Sequence, residues 1–269
     1  MKFKTSKPEW ALLGVCLVLI LLALLGPAVA QPTDHHHFAD QRELWDIPCA
    51  WDVLSNLPFA LMGFWGLAWL TRAPALGRVQ RTCAALFFCG LLATAMCSSW
   101  YHWRPDDAGL AVDRLGMVVA FPGLIGLAVA DRISERAGMV LAALVLVLGP
   151  LSVQVWAGTG NVLPWAVLQF GGMALMLWLA ALRPLDGALA VRLGTIILIY
   201  AVAKLFEQAD HAVFAWTGQT VSGHTFKHAV ASLAALSVIF SLKNTAKSVQ
   251  NRAADRRTKV AQPKSSGNA

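Results

Sequence analysis

The sequence predicts an all-α integral membrane protein: a seven-helix transmembrane bundle preceded by one further N-terminal hydrophobic helix or signal peptide. Three observations carry this. The 269 residues are 57% hydrophobic and only 14% charged, with a mean hydropathy of +0.57, whereas soluble domains carry about a quarter charged residues. The apolar residues fall into eight stretches, near 10–30, 53–70, 83–101, 113–130, 139–156, 163–182, 193–215 and 224–242. Each is close to the roughly 17–25 residues that a helix needs to cross a bilayer. None alternates apolar and polar residues as the strands of a membrane barrel do.

Taken in order, the first stretch is ambiguous. Lys2, Lys4 and Lys7 form a basic start, 11–26 is apolar, and Ala28-Val-Ala30 before Gln31 reads as a cleavage site. Residues 1–30 are therefore either a transmembrane helix or a signal peptide. Residues 31–52 form a loop, 53–243 the seven-helix core, and 244–269 a polar, basic tail read as disordered.

The distribution of Lys and Arg orients the spans. With the N-terminus inside, the inside pieces hold Arg72, Arg78, Arg81, Arg132, Arg136, Arg183, Arg192 and the whole basic tail. The outside loops hold only Arg42 and Arg104. This predicts a cytoplasmic C-terminus and a non-cytoplasmic loop 31–52, in a membrane read as a bacterial inner membrane. The net charge of +7 sits between and beyond the apolar segments, which argues against nucleic acid as a partner. Trp100 and Trp103 suit anchoring at a membrane interface. Five cysteines without a C-x-x-C (Cys16, Cys49, Cys83, Cys89 and Cys97) argue against a disulfide framework, and all but Cys49 are expected as buried, inert thiols.

Ionisable groups in spanning segments are costly and mark cavities, partners or metals. His102 ends the third stretch, Asp113 begins the fourth, Glu207, Asp210 and His211 end the seventh, and His224 and His228 begin the eighth. The topology brings all of them to one level, toward the non-cytoplasmic face. His224 and His228 are one helical turn apart, so one helix offers two imidazoles to one ion. A third imidazole, from His102, would complete the three-nitrogen set of a catalytic zinc. Ser98 shares a helix face with His102. The run His35-His36-His37 in the first loop is expected to be incidental.

The combination Ser98-x-x-x-His102, Asp113 and His224-x-x-x-His228 in a seven-helix setting resembles the signature of the CREST seven-transmembrane hydrolases. That superfamily includes alkaline ceramidases and the adiponectin/progestin receptors. Ser55-Asn56-Leu57 on the first core helix also resembles an alkaline ceramidase motif. The resemblance spans roughly residues 43–240. It implies zinc held by His102, His224 and His228, with Asp113 and Ser98 beside a metal-activated water, and hydrolysis of the amide bond of a ceramide-like lipid. In that scheme Asp113 is the proton acceptor and Ser98 an oxyanion donor. Glu207, Asp210, His211, Ser55 and Asn56 are candidates for supporting the ligands; for Glu207, Asp210 and His211 an ion pair with Lys204 or Lys227 weighs equally. The family's acidic calcium-binding loop has no clean counterpart in 42–49, so Ca2+ lacks a motif here. Two alternatives stand beside hydrolysis: a zinc-stabilised lipid-binding or receptor-like protein, and a proton-coupled transporter using the same charged groups.

Overall fold

Successive helices reverse across short loops, so their ends gather at two poles of a bundle. A computed structural model describes residues 5–73 and 76–247. Its helices are α1 (Lys7–Leu25), α2 (Ala50–Thr71), α3 (Arg78–Trp103), α4 (Asp107–Arg132), α5 (Glu135–Thr159), α6 (Leu163–Ala180), α7 (Leu193–Gln208), α8 (Asp210–Trp216) and α9 (Gly223–Lys247). Among the described residues, seven of these are long and apolar enough to cross a membrane, namely α1 to α6 and α9. The all-helical membrane architecture is as expected, and the extra N-terminal helix is present.

The seventh core segment differs from its expected form. Instead of one helix over 193–215, the chain breaks at Ala209 into α7 and the short α8. The cause lies in packing. Gly223, at the start of α9, approaches so closely that a Cβ there would fall 2.3 Å from the Phe206 carbonyl oxygen and 2.7 Å from the Asp210 Cα. The last helix also runs on to Lys247, so 244–247 continue it rather than begin a disordered tail; 248–269 lie outside the described residues.

Helix α1 carries a capping box, in which Ser6 Oγ accepts from Glu9 N and Glu9 reaches back to Ser6 N. Apolar all round and almost uncovered by protein, it presents a lipid-facing surface. Both of its ends are tied to the bundle. Glu9 accepts from Ser134 Oγ at 2.7 Å and from Arg136 Nη2 at 3.0 Å. Just beyond its other end, Val29 N donates to Asn161 Oδ1 and Val162 N to the Val29 carbonyl.

Helices α3 and α4 form the closest antiparallel pair. A Cβ at Gly90 would meet Ala120 N at 2.2 Å, one at Gly123 would meet Phe87 N at 2.3 Å, and one at Gly116 would meet Cys97 Cβ at 2.7 Å. Small residues allow such contacts in membrane bundles. This register, 87 with 123, 90 with 120 and 97 with 116, carries Ser98 to the level of Asp113. Trp100 and Trp103 are exposed at the end of α3. All five cysteines are free thiols, and Cys89 is exposed rather than buried as expected.

Candidate metal centre

Three helices converge at one pole: α3 delivers His102, α9 delivers His224 and His228, and α2 braces them. Ser222 caps α9, its Oγ accepting from Thr225 N at 3.0 Å. Asp210 accepts from His224 N at 2.7 Å, fixing where the first imidazole leaves the backbone. Helix α2 is interrupted at Ser55 and Asn56 because Pro58, two residues on, has no N–H to give the Leu54 carbonyl and its ring crowds the preceding turn. In the opened turn, Ser55 Oγ and Asn56 Nδ2 both reach the Asp52 carbonyl at 2.9 Å. Ser55 Oγ also lies 2.8 Å from His228 Nδ1.

His102, His224 and His228 are all buried, and each offers a ring nitrogen within 4.8 Å of the others. His102 Nε2 and His224 Nε2 are 3.2 Å apart. A tetrahedral zinc with ligand distances of about 2.0–2.1 Å sets neighbouring nitrogens about 3.3–3.4 Å apart, so this separation fits an edge of such a site. Because Ser55 takes His228 Nδ1, Nε2 is the nitrogen left to face its partners. His102 Nδ1 is buried without a hydrogen-bond partner.

On the turn of α3 before His102, Ser98 lies close to the half-buried Asp113 carboxylate. Lys227 Nζ lies 3.0 Å from His224 Nε2 and 3.3 Å from Glu207 Oε1. Glu207 Oε2 is also paired with Lys204. Asp52, fully buried, accepts from Thr225 Oγ1 at 2.8 Å and Ser222 Oγ at 3.2 Å, while its second oxygen has no partner.

The loop after α1 crosses this pole. Phe38 packs its ring 4.7 Å from that of His102 and 4.5 Å from that of His224, centroid to centroid. On one side of Phe38, His36 bridges Tyr101 Oη at 2.9 Å and Asp107 at 3.1 Å. On that same side His211 Nε2 meets the His37 carbonyl oxygen at 3.0 Å, and on the other Ala39 N donates to Asp210 Oδ2 at 2.9 Å. The histidine run expected to be incidental is therefore part of a strap over the site. Asp40 is committed to Arg42, whose guanidinium it holds above its ordinary value through their hydrogen bonds.

Of the expected constellation, the three histidines come together, while Ser98 and Asp113 lie beside one another outside that group. The supporting candidates divide. Ser55 contacts the His228 imidazole directly. Asp210 holds the backbone of His224 and of the strap, and His211 holds the strap. Asn56 secures the α2 turn. Glu207 is occupied by the two lysines and supports no histidine. Sequence reasoning missed Phe38 and Asp52 altogether and treated Lys227 as a mere ion-pair partner. Lys227 was findable, since it lies three residues after His224 and therefore on the same helix face. Phe38 had no signal, as its position depends on the path of an irregular loop.

No family model and no curated protein matches this sequence. The donor set is thus judged on its chemistry. Three neutral nitrogens on two helices, buried and convergent, suit a borderline ion such as zinc better than a hard one such as calcium or magnesium.

Proposed function

We propose that this chain is a zinc-dependent membrane hydrolase that cleaves the amide bond of a ceramide-like lipid, as its resemblance to the alkaline ceramidases implies. The reading rests on the convergence of His102, His224 and His228, with Ser98 one turn before His102 on α3 and close to Asp113 of α4. Three imidazoles leave one position open on a tetrahedral ion, as catalytic sites do. A zinc ion held by these three histidines would supply Lewis acidity and an acidified water.

The remaining work falls to the chain's own groups. Asp113 accepts a proton from the attacking water and delivers it to the leaving amine. Ser98 orients the Asp113 carboxylate, and Ser55 fixes the ring of His228. On the Lys/Arg asymmetry the site faces the non-cytoplasmic side. Phe38 covers the pole, which favours a substrate arriving from the bilayer. The test is elemental analysis of the detergent-purified protein together with amide hydrolysis on a panel of ceramides and N-acyl amines. About one zinc per chain with turnover of a lipid amide is expected. Turnover without zinc, or zinc at other residues, overturns the reading.

A second reading, a zinc-stabilised lipid-binding protein without hydrolysis, is favoured by one observation: the Phe38 ring lies directly on two of the three imidazoles. Zinc with no turnover on the whole panel would select it.

A further inference from the structure

The proposed hydrolysis needs a donor for the carbonyl oxygen on which negative charge develops. Ser98 is less suited to this duty, because a serine has one O–H and the Asp113 carboxylate beside it competes for that proton. Arg114, a nearby cation, is turned away: its Nη2 donates to Gln31 at 2.6 Å and its guanidinium lies 4.1 Å from the centre of the Trp156 ring. Lys227 differs from both. It carries three N–H donors, and only Glu207 at 3.3 Å and His224 Nε2 at 3.0 Å are near Nζ among its hydrogen-bond partners. His224 Nε2 is one of the nitrogens with which an ion would be held. A lone pair given to an ion cannot also accept from an ammonium, so the N–H now directed at His224 is released toward the open side of the site.

Resting on the hydrolase reading, we propose that Lys227 is a catalytic residue that receives the carbonyl oxygen of the scissile amide, with Glu207 as the carboxylate that holds it in place. As the water oxygen bonds to the carbonyl carbon, the C=O π pair moves onto the oxygen facing Lys227, and one water proton passes to Asp113. When that pair returns, the C–N bond breaks and the nitrogen takes the proton from Asp113. The products are a carboxylic acid and a free amine. Glu207 belongs to this arrangement because an ammonium beside a divalent ion needs a counter-charge, and Glu207 also ties Lys227 to Lys204 across α7 and α9.

The experiment compares wild type, Lys227→Met and Lys227→Arg, purified with zinc. It reads metal content, kcat and KM on a ceramide, and binding of a long-chain alkyl phosphonate, a tetrahedral anion resembling the intermediate. Lys227→Met should keep wild-type zinc, which also reports an intact site. It should leave KM nearly unchanged, lower kcat by about 10²–10³-fold, and weaken phosphonate binding in step, as expected of a group that acts in the transition state. Lys227→Arg should recover part of both losses. Loss of zinc from Lys227→Met would make Lys227 structural and overturn the assignment. So would unchanged kcat and phosphonate affinity in a wild type that does turn over. If wild type hydrolyses no lipid amide at all, it is the hydrolase reading that fails, and phosphonate binding separates that failure from one of Lys227.

Discussion

His102 Nε2 and His224 Nε2 stand 3.2 Å apart, although the two residues are separated by 122 positions in the chain. Nothing local enforces this. It follows from the glycine-lined contact of α3 with α4, which sets the depth of His102, and from the close approach of Gly223 to the α7–α8 break, which sets that of His224. Two neutral imidazoles facing through Nε2 share a single N–H···N contact, whereas an ion between them and His228 would engage all three lone pairs. The 3.2 Å separation suits an N–H···N hydrogen bond and equally one edge of a three-imidazole metal site.

Ser55 is expected to set zinc affinity without touching the ion. Its hydroxyl, 2.8 Å from His228 Nδ1, fixes both the ring orientation and which nitrogen carries the proton. Ser55→Ala should weaken zinc binding by about 10–100-fold. Competition against a chromophoric chelator measures this. Unchanged affinity would mean that the ring is oriented without the Ser55 hydroxyl.

Phe38 should govern how readily the centre exchanges with solution. Its ring lies on His102 and His224, and the strap is anchored on both sides of it. Phe38→Ala should destabilise the protein by about 3–5 kcal/mol if the ring behaves as a core aromatic. It should also speed zinc transfer to a soluble chelator. Stopped-flow release rates decide the second point, and equal rates in the two proteins would show that the strap does not cover the exchange route.

Much of this molecule was legible in its sequence. Spanning lengths and a low charge content gave the helices, because a bilayer imposes both constraints directly. The i,i+4 pair His224 and His228, with His102 and Asp113 at matching helix ends, could be placed at one level by counting segments. What could not be read depends on backbone approach and irregular chain. The break at Ala209 arises from Gly223 in another helix, so the apolar run 193–215 looked continuous. The strap holds Phe38 through contacts with Tyr101, Asp107, Asp210 and His211, none of which is near it in sequence. For Glu207 the sequence leaves ligand support and an ion pair with Lys204 or Lys227 evenly balanced, and only the packing of α7 against α9 decides for the two lysines.

Gly223 should tolerate no side chain. A Cβ would stand 2.3 Å from the Phe206 carbonyl oxygen and 2.7 Å from the Asp210 Cα, both backbone atoms that cannot rotate away. Gly223→Ala should therefore push the start of α9 outward, costing about 1–3 kcal/mol as other overpacked sites do. Because His224 is the next residue, zinc stoichiometry should fall as well. Thermal unfolding in detergent and elemental analysis on the same preparation check the two effects. Destabilisation with full zinc would mean that the imidazole follows the helix without losing its partners.

Asp113 separates catalysis from metal binding. It lies beside Ser98 and is not one of the groups that converge with the three imidazoles, so the metal should not depend on it. Asparagine keeps the size and a hydrogen-bond acceptor for Ser98 but cannot take a proton at neutral pH. Asp113→Asn should thus retain zinc and lower turnover by about 10²–10⁴-fold, the usual contribution of a general base. Ser98→Ala should act through the same carboxylate, with a smaller loss and no change in zinc, since it removes the group that orients the base rather than the base itself. The double variant then decides the relation between them. If Ser98 works only by positioning Asp113, Ser98→Ala should add almost nothing once Asp113 is asparagine, a coupling that a double-mutant cycle measures directly. Independent, multiplicative losses would give Ser98 a role of its own at the substrate. Parallel loss of zinc and turnover in Asp113→Asn would instead make the carboxylate a ligand, and the proton-transfer assignment would fall.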